Sequence, residues 1–310
     1  MKAIMYHYVR PHNPDFPFFN NLDIEDFRKQ LDYFERTFGF VSKESFLESF
    51  TTGKIPKGVV LTFDDGLKCH FDYVYAELKK RNLWGIFYVS TQPYTENKFI
   101  DVHRTHVLLG KFGGKVVYEH LKELLREDNI DQTKKSEFEK FTYQTQVNDN
   151  YTLMVKRLLN YFISYDHREI LISELMGKLV PKQQEIFSDF YLTPGEIKQM
   201  HDSGMLIGSH TVAHPVMSRL TYNAQKFQIE DSFRYLENTV QHMDTRTFCY
   251  PYGGFHSFNQ DTEDLLTQNS CLFSFNVEPR DISSNDVLKR PQALPRYDCN
   301  QFEFGQVRPY

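Results

Sequence analysis

The run Gly58-Val59-Val60-Leu61-Thr62-Phe63-Asp64-Asp65-Gly66 joins a short apolar segment to two adjacent carboxylates and a glycine. Its β-branched and aromatic residues predict a buried strand that stops where the acidic pair begins. In α/β folds the loops after the carboxyl ends of the strands converge, and they carry the catalytic groups. A turn at Gly66 would let both carboxylates reach one cavity, although Asp-Asp-Gly is also an ordinary turn sequence.

Predicted strands and helices alternate along the chain. Phe71, Val74 and Leu78 recur at helical spacing and lead to a predicted strand at residues 85–89. The same strand-helix-strand order recurs between residues 205 and 250. Repeated βαβ units of this kind predict an α/β fold with a mostly parallel sheet or barrel.

Residues from about 105 to 192 differ in composition from the flanking sequence, because they are charged, rich in helical patterns and poor in Gly and Pro. We predict a single domain over residues 1–310 in which this stretch is a helical insertion. It would act either as a lid or packing element beside the site, or as a partner-binding module. Dimerisation through the insertion would make the protein a homo-oligomer.

Composition and charge argue against several classes of partner. The chain carries 36 basic and 41 acidic residues, a net charge of −5, and has no long basic run to neutralise a nucleic-acid backbone. No stretch approaches the roughly 20 apolar residues of a membrane span. The first apolar run is too short for a signal peptide, so we expect a cytoplasmic location. The four cysteines lack CxxC spacing, which argues against a cysteine zinc site or a disulfide framework.

Two histidines follow another predicted strand, in the run Ser209-His210-Thr211-Val212-Ala213-His214-Pro215. Spaced by four residues, both rings can face one ion from a single helical turn that ends before the proline. A single histidine is more often a packed or surface residue. One carboxylate and two imidazoles, however, can hold a divalent cation and leave positions open for water and substrate. The second carboxylate of the acidic pair is then free to act as a base.

A third segment, Phe248-Cys249-Tyr250-Pro251-Tyr252-Gly253-Gly254, is a predicted strand that runs into a turn shaped by Pro and Gly. Such a turn can direct backbone N–H groups into a cleft, as an oxyanion site requires. It can also be a tight turn with no further role.

Together the three segments resemble the NodB-homology polysaccharide deacetylases, carbohydrate esterase family 4, over roughly residues 1–104 and 193–297. The Phe-x-Tyr-Pro-Tyr-Gly form of the third segment is similar to the biofilm-polysaccharide deacetylase branch. The resemblance implies a distorted (β/α)7 barrel. It also implies hydrolysis of an N-acetyl or, less often, an O-acetyl group on a sugar.

The resemblance further implies roles for individual residues. Asp64 would be the general base, and Asp65, His210 and His214 would hold zinc or a similar divalent ion. The backbone N–H of Tyr252 would donate to the oxyanion.

The chain departs from the family pattern at the residue that orients the base. Many members carry an arginine three residues before the tyrosine of the third segment, but Cys249 occupies that position. Tuning of the base must therefore come from elsewhere. Arg296 is a candidate for contact with the base or with the substrate, and a surface salt bridge is the alternative.

The usual Leu-x-His motif that supplies the general acid is also missing, since residues 271–275 contain no histidine. His7 is the first candidate for this acid because it ends the first predicted strand at the barrel mouth. The alternative is that His7 hydrogen-bonds only to the base or the backbone. His103 and His106 are further candidates, His103 also for substrate binding, with a surface position as the alternative for both.

The motifs predict a metal-dependent sugar deacetylase, a hydrolase of carbon–nitrogen bonds other than peptide bonds. Its substrate would be an acetylated sugar or oligosaccharide in cell-surface glycan synthesis. Two alternatives stay open: a metal-independent amidohydrolase on the same scaffold, and a non-catalytic glycan-binding module, which 28 Phe and 19 Tyr would suit. The intact Asp65, His210 and His214 argue against the first alternative, and the retained Asp64 argues against the second.

Overall fold

The computed structural model describes residues 1–126, 129, 130, 136, 139, 140, 142 and 148–309. The residues missing between these ranges all fall within the predicted insertion at about 105–192. For them the prediction of a helical insertion lies outside the described residues. The chain divides into two compact units. Unit 1 comprises Met1–Pro11, Asn21–Asn97 and Phe190–Val307, and unit 2 comprises His12–Asn20, Lys98–Asp189 and Arg308–Tyr310. The assignment of a single domain with an insertion stays a prediction.

Unit 1 is built on a sheet of seven strands. In chain order these are β1 Lys2–Tyr6, β2 Val59–Phe63, β3 Ile86–Val89, β4 Leu206–Ser209, β5 Thr247–Cys249, β6 Phe273–Phe275 and β7 Tyr297–Asp298. Their order in space is β6-β5-β4-β3-β2-β1-β7, and every neighbouring pair is parallel. A parallel bridge between Phe275 of β6 and Leu294 brings the two edges of the sheet towards each other. The predicted distorted (β/α)7 barrel is confirmed.

Helices of unit 1 surround this sheet, and further helices lie in unit 2. In chain order they are α1 Ile24–Thr37, α2 Lys43–Thr52, α3 Ala76–Lys80, α4 Gln92–Glu96, α5 Asp101–Leu124, α6 Asn150–Arg157, α7 Tyr165–Leu179, α8 Gln183–Phe187, α9 Pro194–Asp202, α10 Tyr222–Val240, α11 Gln260–Gln268 and α12 Ser284–Lys289. Helices α5 to α8 belong to unit 2. Within the described part of the chain, no helix combines the length and the apolar composition that a membrane span requires.

The sheet has an apolar layer on each face, because side chains alternate along a strand. One cluster of buried residues joins Val60 of β2 to Ile86, Leu206 and Phe273 of other strands. The cluster on the opposite face packs the strands against helices such as α1 and α10. With both faces covered, only the ends of the strands are open to solvent. In parallel α/β sheets the carboxyl ends are the ones that carry sites.

The parallel arrangement determines which loops meet. β1 and β2 pair in register from Lys2 opposite Val59 to Tyr6 opposite Phe63. Since all strands run the same way, the residues that follow β1, β2, β4 and β5 lie together at the carboxyl ends of the strands. The three segments singled out in the sequence therefore meet there.

Gly208 of β4 lies where the sheet has no space for a side chain. A Cβ atom at this position would lie 2.5 Å from Cε1 of Tyr88 and 2.8 Å from Cγ2 of Thr247. We expect Gly208→Ala to lower the free energy of unfolding by about 1–3 kcal/mol, the usual cost of overpacking. Chemical denaturation measures this loss.

Gly195→Ala in α9 is the matched control, because the nearest heavy atom would be 4.0 Å from its Cβ. It should leave the free energy of unfolding unchanged or raise it by up to about 1 kcal/mol, because alanine favours a helix more than glycine does. Equal losses in the two variants would contradict the packing argument.

Candidate active site

The carboxyl ends of β2 and β4 bring Asp65, His210 and His214 together. Oδ1 of Asp65 lies 3.3 Å from Nε2 of His210 and 3.5 Å from Nε2 of His214. All three residues are buried, and their ligand atoms lie within 4.8 Å of one another. Ligand atoms in a tetrahedral site with bonds of about 2.0–2.2 Å are about 3.4 Å apart. The three side chains therefore fit a divalent cation.

The second ring nitrogen of His210 supports the same conclusion. Its Nδ1 lies 2.7 Å from the backbone carbonyl oxygen of Cys249. A carbonyl only accepts, so Nδ1 carries the hydrogen, and Nε2 is the nitrogen that faces Asp65 and can serve as the ligand of a metal ion. Burial lowers the pKa of His210, but the neighbouring Cys249 and Asp65 outweigh burial and hold that pKa well above its ordinary value. The site therefore favours positive charge.

The predicted helical turn carrying both His210 and His214 is wrong. The segment after β4 is irregular. The N–H groups of Val212 and Ala213 both donate to Oε1 of Gln228 in α10, at 3.0 and 2.9 Å. A side chain of a neighbouring helix thus accepts the hydrogen bonds of these two N–H groups, and the loop needs no helical turn to satisfy them. The loop, and not a helix, directs the two rings to one point.

Left-handed backbone conformations are concentrated at this site. Among the described residues other than glycine, nine have positive φ, and they include Asp65 at 84°, Thr211 at 68°, His214 at 56° and Tyr252 at 65°. Such conformations cost free energy and persist only where surrounding contacts determine them. The expected turn is present, because Gly66 also has a φ of 67°. It separates the two carboxylates of the acidic pair into different surroundings.

The other carboxylate, Asp64, is bound by Arg296. The Arg296 guanidinium donates to Asp64 Oδ1 at 2.8 Å and to Asp64 Oδ2 at 2.7 Å. Both residues are almost inaccessible, with 2% and 1% of their surfaces exposed. Burial alone would raise the pKa of Asp64, but the Arg296 charge, with help from His210, holds it below its ordinary value. Asp64 is therefore an ionised and buried carboxylate.

Arg296 reaches Asp64 from the segment that brings the edges of the sheet together. Its N–H donates to the Glu278 carbonyl at 3.1 Å, immediately before β7 begins. Of the alternatives that the sequence left open, the structure shows contact of Arg296 with Asp64, the candidate base, and excludes a surface salt bridge. Contact with substrate stays a prediction.

Cys249 is a part of the site whose contacts the sequence did not reveal. Its Sγ accepts from Nη2 of Arg296 at 3.0 Å and lies 3.5 Å from Oδ2 of Asp64. The only signal in the sequence was the position of this small residue where an arginine is common in the family. This small side chain contacts the guanidinium of Arg296, which comes from the segment immediately before β7.

His7 and Tyr252 also lie at the carboxyl ends of the strands. His7 follows β1, and its partly exposed side chain places Nε2 4.0 Å from Oδ2 of Asp64. The ring of Tyr252 packs edge-on against that of His214, with centroids 4.8 Å apart. The roles of acid for His7 and of oxyanion donor for Tyr252 stay predictions.

His103 lies in α5 of unit 2 and is buried. Its ring is 5.9 Å from the ring of His106, centroid to centroid. A surface position for His103, the alternative considered from the sequence, is therefore wrong. The proposed roles of both histidines in proton transfer, and of His103 in substrate binding, stay predictions.

The arrangement suits activation of water at neutral pH. One carboxylate and two imidazoles converge on a position fit for a divalent cation, and an ionised carboxylate adjoins it in sequence. Cation and base together are the groups that hydrolysis of an unreactive acyl bond requires.

Comparisons with known proteins agree with this reading. A protein-family model described as polysaccharide deacetylase matches residues 52–270. Comparison with curated protein sequences found no match.

Solved structures share the fold. The Streptococcus pyogenes deacetylase PplD in complex with acetate is 16% identical, with a TM-score of 0.59 over 96% of this chain and 91% of that one. IcaB from Ammonifex degensii is 17% identical, with a TM-score of 0.55 over 96% and 90%. A de-N-acetylase from Aggregatibacter actinomycetemcomitans is 14% identical, with a TM-score of 0.50 over 96% and 93%. At these identities the likeness shows the fold.

Replacing Arg296 by methionine should make stability depend on pH in a defined direction. In the native protein the pKa of Asp64 lies below its ordinary value. In Arg296→Met the largest opposing charge is gone and burial is opposed only by the smaller effects of His210 and His7, so that pKa rises. An unpaired buried charge costs about 3–5 kcal/mol at pH 7. As the pH falls towards 5, Asp64 takes up a proton in the variant but not in the native protein, and the difference in stability shrinks.

Denaturant unfolding at several pH values, with a chelator present throughout, measures this difference. The double variant Asp64→Asn/Arg296→Met is the control, since it has no carboxyl to titrate and should recover nothing at low pH. A stability difference that stays constant from pH 7 to pH 5 in Arg296→Met would refute the assignment.

Proposed function

Because this chain belongs to the polysaccharide deacetylase family and removes acetyl groups from glycans, we propose that it hydrolyses an N-acetyl group with the help of a divalent cation. Asp65, His210 and His214 would hold that cation. The observation that carries the proposal is the contact of the Asp65 carboxylate with both imidazoles at 3.3 and 3.5 Å. Zinc is the proposed ion, since a three-residue N/O ligand set with an open position is typical of catalytic zinc.

A divalent ion bound there would polarise the acetyl carbonyl and lower the pKa of water. The chain's own groups complete the reaction. Arg296 holds both oxygens of Asp64 in place and keeps the carboxylate ionised. Oδ1 of Asp64 accepts from Arg296 and has a second lone pair, so Asp64 can accept the proton of the attacking water. The backbone N–H of Tyr252 is proposed to donate to the developing oxyanion.

His7 is proposed to protonate the leaving amine. Its Nε2 lies 4.0 Å from Asp64 Oδ2, and its side chain is 39% exposed, so substrate can reach it. An amine is a poor leaving group until it is protonated, whereas an alcohol needs less help. A proton donor beside the base therefore favours an N-acetyl over an O-acetyl substrate.

The proposed substrate is an N-acetylated sugar unit of a cell-surface glycan. The family supports a glycan as the substrate, while the cell-surface role and the cytoplasmic location rest on the sequence. A homo-oligomer formed through the insertion at about 105–192 also stays a prediction.

Replacing each of the two adjacent aspartates should impair a different property of the protein. We expect Asp65→Asn to lose both the bound divalent ion and the activity, because it removes a ligand. Asp64→Asn should keep the ion and lose about 10²- to 10⁴-fold in kcat, the usual contribution of a general base. Elemental analysis measures the ion, and acetate release from an N-acetylglucosamine tetramer measures the activity.

Asp202→Asn, at an exposed aspartate of α9, is the control and should behave like the native protein. The metal-dependent proposal fails if the native protein binds no divalent ion, or if Asp65→Asn releases acetate at the native rate.

The role of His7 can be separated from that of the base by the choice of leaving group. We expect His7→Gln to slow acetate release from the N-acetylated tetramer about 10²- to 10⁴-fold. It should leave 4-nitrophenyl acetate hydrolysis nearly unchanged, because that phenolate departs without a proton. Steady-state kinetics on both substrates give the ratio. Equal losses on the two substrates would remove His7 from the acid role.

A further inference from the structure

We infer that His70 is a positioning residue that holds His7 beside Asp64 by a hydrogen bond to the backbone of His7. The inference rests on the proposed role of His7 as proton donor, and it assigns a function to a buried histidine that the mechanism above does not use.

The contact is short and its direction is determined. Nε2 of His70 lies 2.7 Å from the carbonyl oxygen of His7. A carbonyl oxygen only accepts, so Nε2 must carry the hydrogen. Burial lowers the pKa of His70 to about 4, so the ring is neutral at physiological pH. Its Nδ1 is buried and makes no hydrogen bond to any residue that the structure describes.

The backbone at His7 needs this support because the chain leaves the sheet there. The Tyr6 carbonyl still accepts from the Asp64 N–H at 2.9 Å, beside the last pair of the β1–β2 ladder. The Tyr8 carbonyl accepts from the N–H of Leu22 at 2.9 Å, in another segment. The His7 carbonyl lies between these two anchors, and the His70 side chain is its donor.

His70 is itself firmly held. Its ring packs against the rings of Phe63 and Phe87, from β2 and β3, with centroids 5.7 and 5.9 Å away. Its N–H donates to the Leu67 carbonyl at 3.0 Å, and it opens the π-helical turn His70–Tyr75. Single π-helical turns are frequent at functional sites. The loop that begins with the acidic pair thus ends at His70, whose firmly held ring donates to the His7 carbonyl.

These contacts couple the acid to the base. Asp64 is fixed by β2 and Arg296, and His7 is fixed by His70, so the 4.0 Å between His7 Nε2 and Asp64 Oδ2 depends on both. An error of about 1 Å in the position of a catalytic group can cost about 10²-fold in rate. A role in packing alone would need only an apolar ring between Phe63 and Phe87, with no nitrogen.

Two substitutions distinguish these roles. His70→Gln keeps an N–H donor at the position of Nε2, and His70→Leu fills the space without a donor. We expect His70→Leu to lower kcat for the N-acetylglucosamine tetramer about 10-fold or more, with KM and 4-nitrophenyl acetate hydrolysis nearly unchanged. His70→Gln should remain within about threefold of the native kcat on both substrates. Bound divalent ion should stay stoichiometric in both variants.

The double variant His7→Gln/His70→Leu tests whether His70 acts through His7. It should be no slower on the tetramer than His7→Gln alone, because residues that act as one unit are not additive. Losses that multiply, or a loss in His70→Leu that is equal on both substrates, would overturn the inference. If His7→Gln itself shows no preference between the substrates, the proposed acid fails and this inference falls with it.

One measurement on the native chain needs no variant. The ¹⁵N shifts of the His70 ring should report the Nε2–H tautomer, and an Nδ1–H tautomer would overturn the inference. Should His70→Leu not fold, His70→Met supplies a second side chain without a donor, judged by the same kinetics.

Discussion

The buried ion pair between Asp64 and Arg296 is the interaction on which the site depends. It joins two residues 232 positions apart in the sequence, one at the end of β2 and one in the segment that brings the sheet edges together. Two charges buried together are costly unless their geometry and further hydrogen bonds compensate. Here the bonds are bidentate, and Arg296 also donates to Thr62 Oγ1 at 3.0 Å and to Cys249 Sγ at 3.0 Å. The contact that keeps Asp64 ionised therefore also joins β2 to the segment that brings the sheet edges together.

Adjacent carboxylates acquire different chemistry because the backbone turns between them. Asp64 continues the path of β2 and faces the guanidinium, whereas Asp65, with a φ of 84°, faces two imidazoles. Two carboxylates in one environment would compete for a proton, and one would become neutral. In separate environments one can serve as a base and the other as a ligand. The strained conformation at Asp65 is thus part of the arrangement that divides these tasks.

Much of the site was predictable, and what was missed has a physical cause. The apolar strands, the acidic pair and the two histidines are local patterns, and the parallel fold brings them to one edge of the sheet. The helical turn for His210 and His214 was wrong because Gln228 of α10 satisfies backbone groups in that loop. The contacts of Cys249 and His70 were missed since each acts on a group distant in sequence. No local spacing marks such a pair.

The sequence by itself determined the fold class, the family and the residues able to hold a cation, because these follow from short-range periodicity and from motifs of a few residues. Only the tertiary structure decided how the base is held ionised and what stands beside it. The reason is that the partner of a buried charge can come from any segment that the fold brings beside it, however distant in sequence. The position where the family often has an arginine holds Cys249, and the guanidinium that binds Asp64 belongs to Arg296, in the segment before β7.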